Sequence, residues 1–400
     1  MSAHVALRSR RIFDGAAWHA DAAVLVDGAV ISGICSNAAI PREFVPAPGI
    51  HDLIAPGFID LQVNGGGGIL FNDQPNVEGI RTICEAHRPF GTTTLLPTLI
   101  TDNRETTRAA LAAGIDAARA AVTGFGGIHL EGPHLSVTRR GAHSAELVRP
   151  MDEEDVEALI DVRRHLPALM ITCAPESVTL EQVARLVEGG IRVSLGHSDC
   201  SYDVAAAHVD AGASMVTHLF NAMSPFGHRE PGLAGAALDC GALHAGLISD
   251  GIHVHPAAMR AALRAKSAPG RIFLVTDAMA TIGTDLDSFE LNGRHVYRRD
   301  GRLTLEDGTL AGADIDMAAS VRFAHRAVGL ELGEAIAMAS RYPAIALGID
   351  GQKGSIRAGK LADLIALDDA LEVRRVWQGG SLTHDAGINR DAVAPAADPV

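Results

Sequence analysis

The chain lacks most of the features that would place it quickly. None of its apolar stretches approaches the roughly 20 uncharged residues that a membrane-crossing helix needs. The basic start, Met1 to Arg11, is not followed by an apolar core, so no secretory leader is expected. Five cysteines (Cys35, Cys84, Cys173, Cys200 and Cys240) are scattered without a C-x-x-C pair. That argues against a disulfide frame or a thiolate zinc site and for reduced thiols in the cytoplasm. A formal charge of −14 over 400 residues argues against a nucleic-acid partner. It still permits an anionic small molecule held by a few local cations. There is no G-x-S-x-G elbow for a serine nucleophile. The run Asn64-Gly65-Gly66-Gly67-Gly68 is not a phosphate loop, because no Gly-Lys-Ser/Thr follows it. It is either a close backbone passage beside a site or a flexible turn. No internal repeat and no long low-complexity segment is present.

What the chain does have is rhythm. Apolar or β-branched runs occur eight times: 55–64, 91–100, 126–133, 169–175, 191–198, 214–221, 245–252 and 271–278. Most are followed by turn residues and then a helical pattern, at 78–88, 104–121, 152–165, 180–188, 201–211 and 256–265. Eight strands alternating with helices predict an α/β fold, a (β/α)8 TIM-like barrel. The flanks differ. Residues 23–26 and 30–34 alternate around an Asp27-Gly28 turn, which is hairpin chemistry. Residues 354–356 and 361–367 again read as strands. Neither flank can bury a core alone. The expected division is therefore a small β-sandwich domain built from residues 1–52 and 351–400, with the barrel at 53–350 between them. A hairpin is expected at 289–305, and 392–400 reads as a loose terminus.

Active sites of such barrels lie at the C-terminal ends of the strands. Those ends carry chemistry here. Strand one closes on Asp60-Leu61-Gln62-Val63-Asn64, strand three on His129-Leu130-Glu131, strand five on Gly196-His197-Ser198 and strand six on Thr217-His218. Strand seven closes on Asp250-Gly251-Ile252-His253 and strand eight on Thr276-Asp277. Glu131, His197 and His218 form a carboxylate and two-imidazole set suited to Zn²⁺ or Fe²⁺ with a position left for water. Any one of these histidines could be a hydrogen-bonded polar group in a barrel mouth. Convergence from separate strands favours metal. Asp277 is the candidate general base, since a carboxylate beside metal-activated water can take its proton. The plainer reading of Asp277 is a structural cap of the next turn.

Taken together, the segments Ala55-Pro56-Gly57-Phe58-Ile59-Asp60, His129–Pro133, Leu195–Ser198, Thr217–Met223, Arg229–Leu233, Asp250–His253 and Val275–Met279 resemble a known family. The chain is similar over nearly its whole length to the N-acetylglucosamine-6-phosphate deacetylases of the amidohydrolase superfamily. The resemblance implies one divalent metal per chain, with zinc first and iron second. It implies that Asn221, Ala222 through its backbone N–H, Arg229 and His253 contact the phosphate and sugar. His143 would touch the sugar or the acetamide carbonyl and assist catalysis. Arg229 would reach across a homodimer interface. Where much of the superfamily opens strand one with His-x-His, this chain has Gln62 and Asn64, which are poor transition-metal ligands and are expected in a water network. Strand four offers no lysine for a bridging carbamate. Both features favour a single metal. One segment departs from the family: Asp314 and Asp316 follow Leu310-Ala311-Gly312, where a small neutral run usually lines the acyl pocket. They either alter that pocket or cap the next helix.

The expected activity is hydrolysis of the acetamide of N-acetylglucosamine 6-phosphate, with a small sugar phosphate as partner and neither nucleic acid nor membrane. Two other functions compete. A D-aminoacylase or dihydroorotase-like amidohydrolase would favour the missing His-x-His and lysine. A non-catalytic sugar-phosphate binder would be expected to lack the base or a ligand.

Overall fold

The computed structural model describes residues 4–387; the terminus at 392–400 lies outside them. Eight strands form one wholly parallel sheet. In order these are Phe58–Val63, Thr92–Ile100, Ile128–Glu131, Leu169–Cys173, Arg192–Leu195, Met215–Val216, His244–Ile248 and Ile272–Val275. Seven ladders join neighbours. The seam between the first and eighth strands is closed by a bridge of Val63 to Ala278. This is the expected barrel, filled by one large apolar core.

Local signals start its helices where expected. Asn103 caps Arg104–Arg119 by accepting from Thr106 N–H. Asp152 and Thr179 each open a reciprocal capping box, before Glu153–Arg163 and Leu180–Glu188. Four helices escaped the periodicity reading: Gly232–Asp239, Met317–Phe323, Leu332–Ala339 and Arg341–Leu347. All are short. The first is buried from Gly232 to Leu238, so it shows no polar face to give a period.

Three expected strands change shape. The run 55–64 breaks at Gly57, where a Cβ would stand 2.2 Å from Thr93 Oγ1. On one side lies His51–Pro56, a strand of the outer sheet; on the other lies the first barrel strand. The sixth barrel strand stops at Val216, because His218, Phe220 and Ala222 take left-handed backbone (φ 29°, 77° and 49°) that a strand cannot accommodate. Residues 354–356 are not a strand: Gly354 bends the chain with φ 81°, and Ile356 N–H donates to Asp14 O at 2.8 Å.

Both chain ends meet in a second, eight-stranded sheet. Ser381–Asp385, Val373–Gln378, Leu364–Leu367, His51–Pro56, His4–Phe13, Trp18–Asp27 and Val30–Ser36 follow one another, with Val45–Pro46 pairing beside His4–Phe13. Asp27 pairs with Val30 in the expected hairpin. Leu7, Val24, Ile31, Ile54, Leu364 and Trp377 share one core, so the sheet folds over itself as a small sandwich. After the eighth barrel strand, Ser288–Leu291, Arg294–Arg299, Arg302–Thr304 and Leu310–Ala313 form an antiparallel sheet. It contains the expected hairpin and adds a strand that returns to the barrel mouth, where Ala313 N–H donates to Asp277 O at 2.9 Å.

Entry into the third barrel strand depends on Gly127. Its φ is 136°, and a Cβ there would lie 2.2 Å from Ala168 O, the carbonyl that accepts from Ile128 N–H. Gly127→Ala should cost at least about 2 kcal/mol, read as a lower urea midpoint. Unchanged stability would show that the approach is not constrained.

Candidate active site

The C-terminal ends of the strands open into a cavity of about 390 Å³. Glu131 Oε1 lies 3.0 Å from His218 Nε2 and 3.1 Å from His197 Nε2, and the two imidazole nitrogens are 3.0 Å apart. All three side chains are buried. His197 Nδ1 donates to Arg139 O at 2.9 Å, which leaves Nε2 bare and aimed at its two neighbours. Two imidazole nitrogens facing one carboxylate oxygen at this spacing form a set that can hold a cation between them. Donor atoms on a tetrahedral zinc stand roughly 3.3 Å apart, so the set fits a divalent metal with little movement. His218 Nδ1 and Asn64 Oδ1 are buried beside it with no partner among the described residues.

His143 stands against this cluster. Its ring meets that of His197 edge-on at 4.5 Å, and its ligand atom lies within 4.8 Å of those of Glu131 and His197. Its role differs from theirs. Thr101 N–H donates to His143 Nδ1 at 3.3 Å, and Thr101 Oγ1 lies 2.8 Å from the same atom. A backbone N–H can only donate, so Nδ1 accepts and the ring proton sits on Nε2. Burial pushes the His143 pKa down to about 3. The ring is thus a neutral hydrogen-bond donor, unlike the bare nitrogen of His197.

Gln62 and Asn64 make direct bonds rather than lining a water network alone. Gln62 Nε2 donates to Glu131 Oε1 at 3.0 Å and to Asp277 Oδ1 at 3.1 Å; Asn64 Nδ2 donates to Asp277 Oδ1 at 2.7 Å. The two carboxylates titrate in opposite directions. Burial raises the pKa of Asp277 to about 6, reinforced by the charge of Glu131. Burial would also raise that of Glu131, but its contacts with the His197 and His218 imidazoles override it and hold the group well below the usual range. The pKa of His218 moves upward, its contacts with Glu131 outweighing desolvation. Left-handed backbone recurs here, at His197 (φ 49°), His218 (29°), Ala222 (49°) and Asp277 (54°). Such strain persists where surrounding contacts impose it, commonly at functional sites.

Asn221, Ala222 and His253 line the same cavity. His253 Nδ1 is tied to Asp250 Oδ2 at 2.6 Å, and Asn221 Nδ2 donates within its own turn to His218 O and Leu219 O. Arg229 does not line the cavity: it is exposed on a loop with Phe226, itself 63% exposed. Asp314 and Asp316 also lie outside it. Asp316 caps Met317–Phe323 by accepting from Ala319 N–H at 2.7 Å. Asp314 accepts from Thr281 Oγ1 and pairs with Arg298 at 2.7 Å. The glycine run packs on a helix: Gly65 O contacts His87 Nε2 at 2.9 Å, and a Cβ on Gly66 would stand 2.9 Å from that nitrogen.

Several lining residues were not foreseen. Thr138 and Arg139 precede Gly141-Ala142-His143, and a basic pair beside that motif was a usable signal. Arg139 holds Asp199 at 2.7 Å. Ile100, at the end of the second strand, also lines the cavity, and Thr101 behind it orients His143. Leu291 and Thr309–Gly312 come from the extra sheet, a contribution that periodicity does not disclose.

Residues 53–392 match the sequence profile of the amidohydrolase family. An N-acetylgalactosamine-6-phosphate deacetylase of a Shewanella species is 45% identical over 83% of this chain and 84% of its own. An N-acetylglucosamine-6-phosphate deacetylase of Haemophilus influenzae is 36% identical over 86% and 90%. The crystal structure of N-acetylglucosamine-6-phosphate deacetylase from Pasteurella multocida superposes with a TM-score of 0.90 at 36% identity, covering 95% of this chain and all of that one.

If Asp316 is a cap and no part of the cavity, Asp316→Ala should cost about 1 kcal/mol of stability and leave kcat and KM within twofold, as a melting curve beside a steady-state assay would read. A selective change in KM with unchanged stability would return it to the acyl pocket.

Proposed function

This chain belongs to the amidohydrolase family, and from that premise we propose that it hydrolyses the acetamide of N-acetylglucosamine 6-phosphate to acetate and glucosamine 6-phosphate. The observation that carries the reading is the pairing of a Glu131–His197–His218 donor set with the separate carboxylate of Asp277 in one cavity. A second reading has its own support: the 45% relative acts on the galactose epimer. Acetate release from the two 6-phosphates and from the unphosphorylated sugars tests both. The glucose epimer should give the larger kcat/KM, and free sugars should be poor substrates. A larger value for the galactose epimer would establish the second reading, and no release from either would refute both.

In this reading Glu131, His197 and His218 hold one divalent cation, zinc before iron. The ion would supply Lewis acidity and make water nucleophilic near neutral pH. Asp277 takes the proton from the attacking water and returns it to the departing amine nitrogen, which otherwise leaves very poorly. His143 directs its Nε2–H at the carbonyl oxygen as negative charge develops there. Asn221, Ala222 and His253 hold the sugar phosphate. A single ion is supported by Gln62 and Asn64, whose amide hydrogens go to carboxylates and whose neutral amides are poor transition-metal ligands, and by a lysine-free fourth strand.

The assembly belongs to the same proposal. Arg229 is exposed and has no ion-pair partner among the described residues; we assign it to the phosphate of the neighbouring subunit in a homodimer. The two-ended small domain around a barrel, expected at 1–52 and 351–400 around 53–350, is likewise proposed, with its first part carried on to Pro56 because Leu364–Leu367 pairs with Leu53–Pro56. All five thiols are free, which supports a cytoplasmic setting. Among the described residues no helix is long and apolar enough to cross a membrane.

Asp277→Asn should lower kcat by about 10²-fold or more with metal content retained; near-wild-type turnover would reject the proton path. Arg229→Ala should cost about 1.5–3 kcal/mol with the phosphorylated substrate, roughly 10- to 150-fold in kcat/KM, and barely alter the free sugar. In mixed dimers of Arg229→Ala and Asp277→Asn chains, one site carries both defects and the other neither, so up to half the activity should return. Absence of recovery in verified heterodimers would reject the shared site.

A further inference from the structure

The barrel closes on a carboxylate that the proposed chemistry does not use. Asp60 is fully buried on the first strand. Its Oδ2 accepts from Thr276 Oγ1 at 2.5 Å, and its Oδ1 accepts from Thr276 N–H at 3.3 Å and Gln62 N–H at 3.2 Å. Thr276 lies on the far side of the only junction between neighbouring barrel strands that has no ladder among the described residues. Above Asp60 the seam is closed by Asp277 N–H to Gln62 O at 3.0 Å and Asn64 N–H to Ala278 O at 2.8 Å. Asp60 thus stands in for missing ladder bonds at one level of the barrel, directly below Gln62 and Asp277. No cationic group is among its hydrogen-bond partners. A buried carboxylate without a cation is costly, so general stability is a poor reason for its presence.

The seam has leverage on the site. Asp277 is held at φ 54°, a conformation that its neighbours must impose. Its Oδ1 shares the Gln62 amide with Glu131, so a slip of one strand past the other changes the distance from Asp277 to the metal-ligand set. We propose that Asp60 is a positioning residue for Asp277, acting through Thr276 and the Gln62 backbone to fix the base opposite Glu131. The proposal rests on the reading of Asp277 as base.

The test compares Asp60→Asn and Thr276→Val, each alone and combined with Asp277→Asn, in the metal-loaded protein. It measures acetate release from N-acetylglucosamine 6-phosphate, or from the galactose epimer if that is the better substrate, together with metal per chain. Asn replaces an acceptor oxygen with a donor, and Val removes only the Thr276 hydroxyl. Each single variant should lower kcat about 10- to 100-fold, as sub-ångström to ångström displacement of a catalytic group does, with KM within twofold and metal content unchanged. In the Asp277→Asn background the further loss should fall below twofold, because the group being positioned is gone. Thr276→Ser, which keeps the hydroxyl, should restore turnover. If Asp60→Asn fails to fold, the Thr276 pair decides alone. Unchanged kcat, full multiplication of the losses in both backgrounds, or loss of kcat in step with loss of metal would each overturn the proposal. Wild-type turnover in Asp277→Asn alone would instead reject the base assignment beneath it, a distinguishable failure.

Discussion

Two carboxylates share one buried cavity, and a single amide nitrogen lies between them. Gln62 Nε2 donates to Glu131 and to Asp277 at nearly equal distances. Like charges so placed cannot ionise independently, so their surroundings must separate them. The imidazoles of His197 and His218 hold Glu131 in its charged form, while burial lifts Asp277 towards neutrality. Pushing two titratable groups apart in this way would let one serve as a ligand and the other as a proton carrier, as proposed above. The strained turns, the seam bonds and the capped helices behind them all serve to keep that geometry fixed.

The histidines divide by the same logic. His197 gives its Nδ1 proton to a carbonyl, so its other nitrogen is free to ligate. His143 accepts a backbone N–H at Nδ1, so its other nitrogen must donate. One backbone group in each case decides whether the other ring nitrogen can accept or must donate. His253, fastened to Asp250, is oriented by a carboxylate instead.

Much of this was legible in the sequence. Strand ends in a parallel barrel converge by geometry, so Glu131, His197, His218 and Asp277 could be brought together from their positions and chemical types alone. Gln62 and Asn64 were legible as poor ligands, but their donation to two carboxylates depends on how strands one and eight face each other across the seam. Arg139 acts on His197 through its backbone carbonyl, which carries no residue-type signal, and Thr101 acts on His143 through its N–H as well as its hydroxyl. The short sixth strand was overextended because a left-handed His218 or Phe220 is not written in side-chain hydrophobicity. Asp314 and Asp316 looked unusual against a family pattern, yet an ion pair and a helix cap absorb them. Arg229 was singled out by the resemblance alone, and the cavity of its own chain does not include it.

The central claim is that one ion occupies the Glu131–His197–His218 corner while Asp277 stays outside its ligand set, held by Gln62 and Asn64. Anomalous diffraction from crystals of the metal-loaded protein, recorded at the metal's absorption edge, tests it most directly. The account predicts one strong peak within about 2.3 Å of Glu131 Oε1 and the two imidazole Nε2 atoms, with Asp277 Oδ1 still bonded to the two amides. A second peak of comparable height between Asp277 and the Gln62–Asn64 pair, or a single peak bound to Asp277 in place of Glu131, would contradict it.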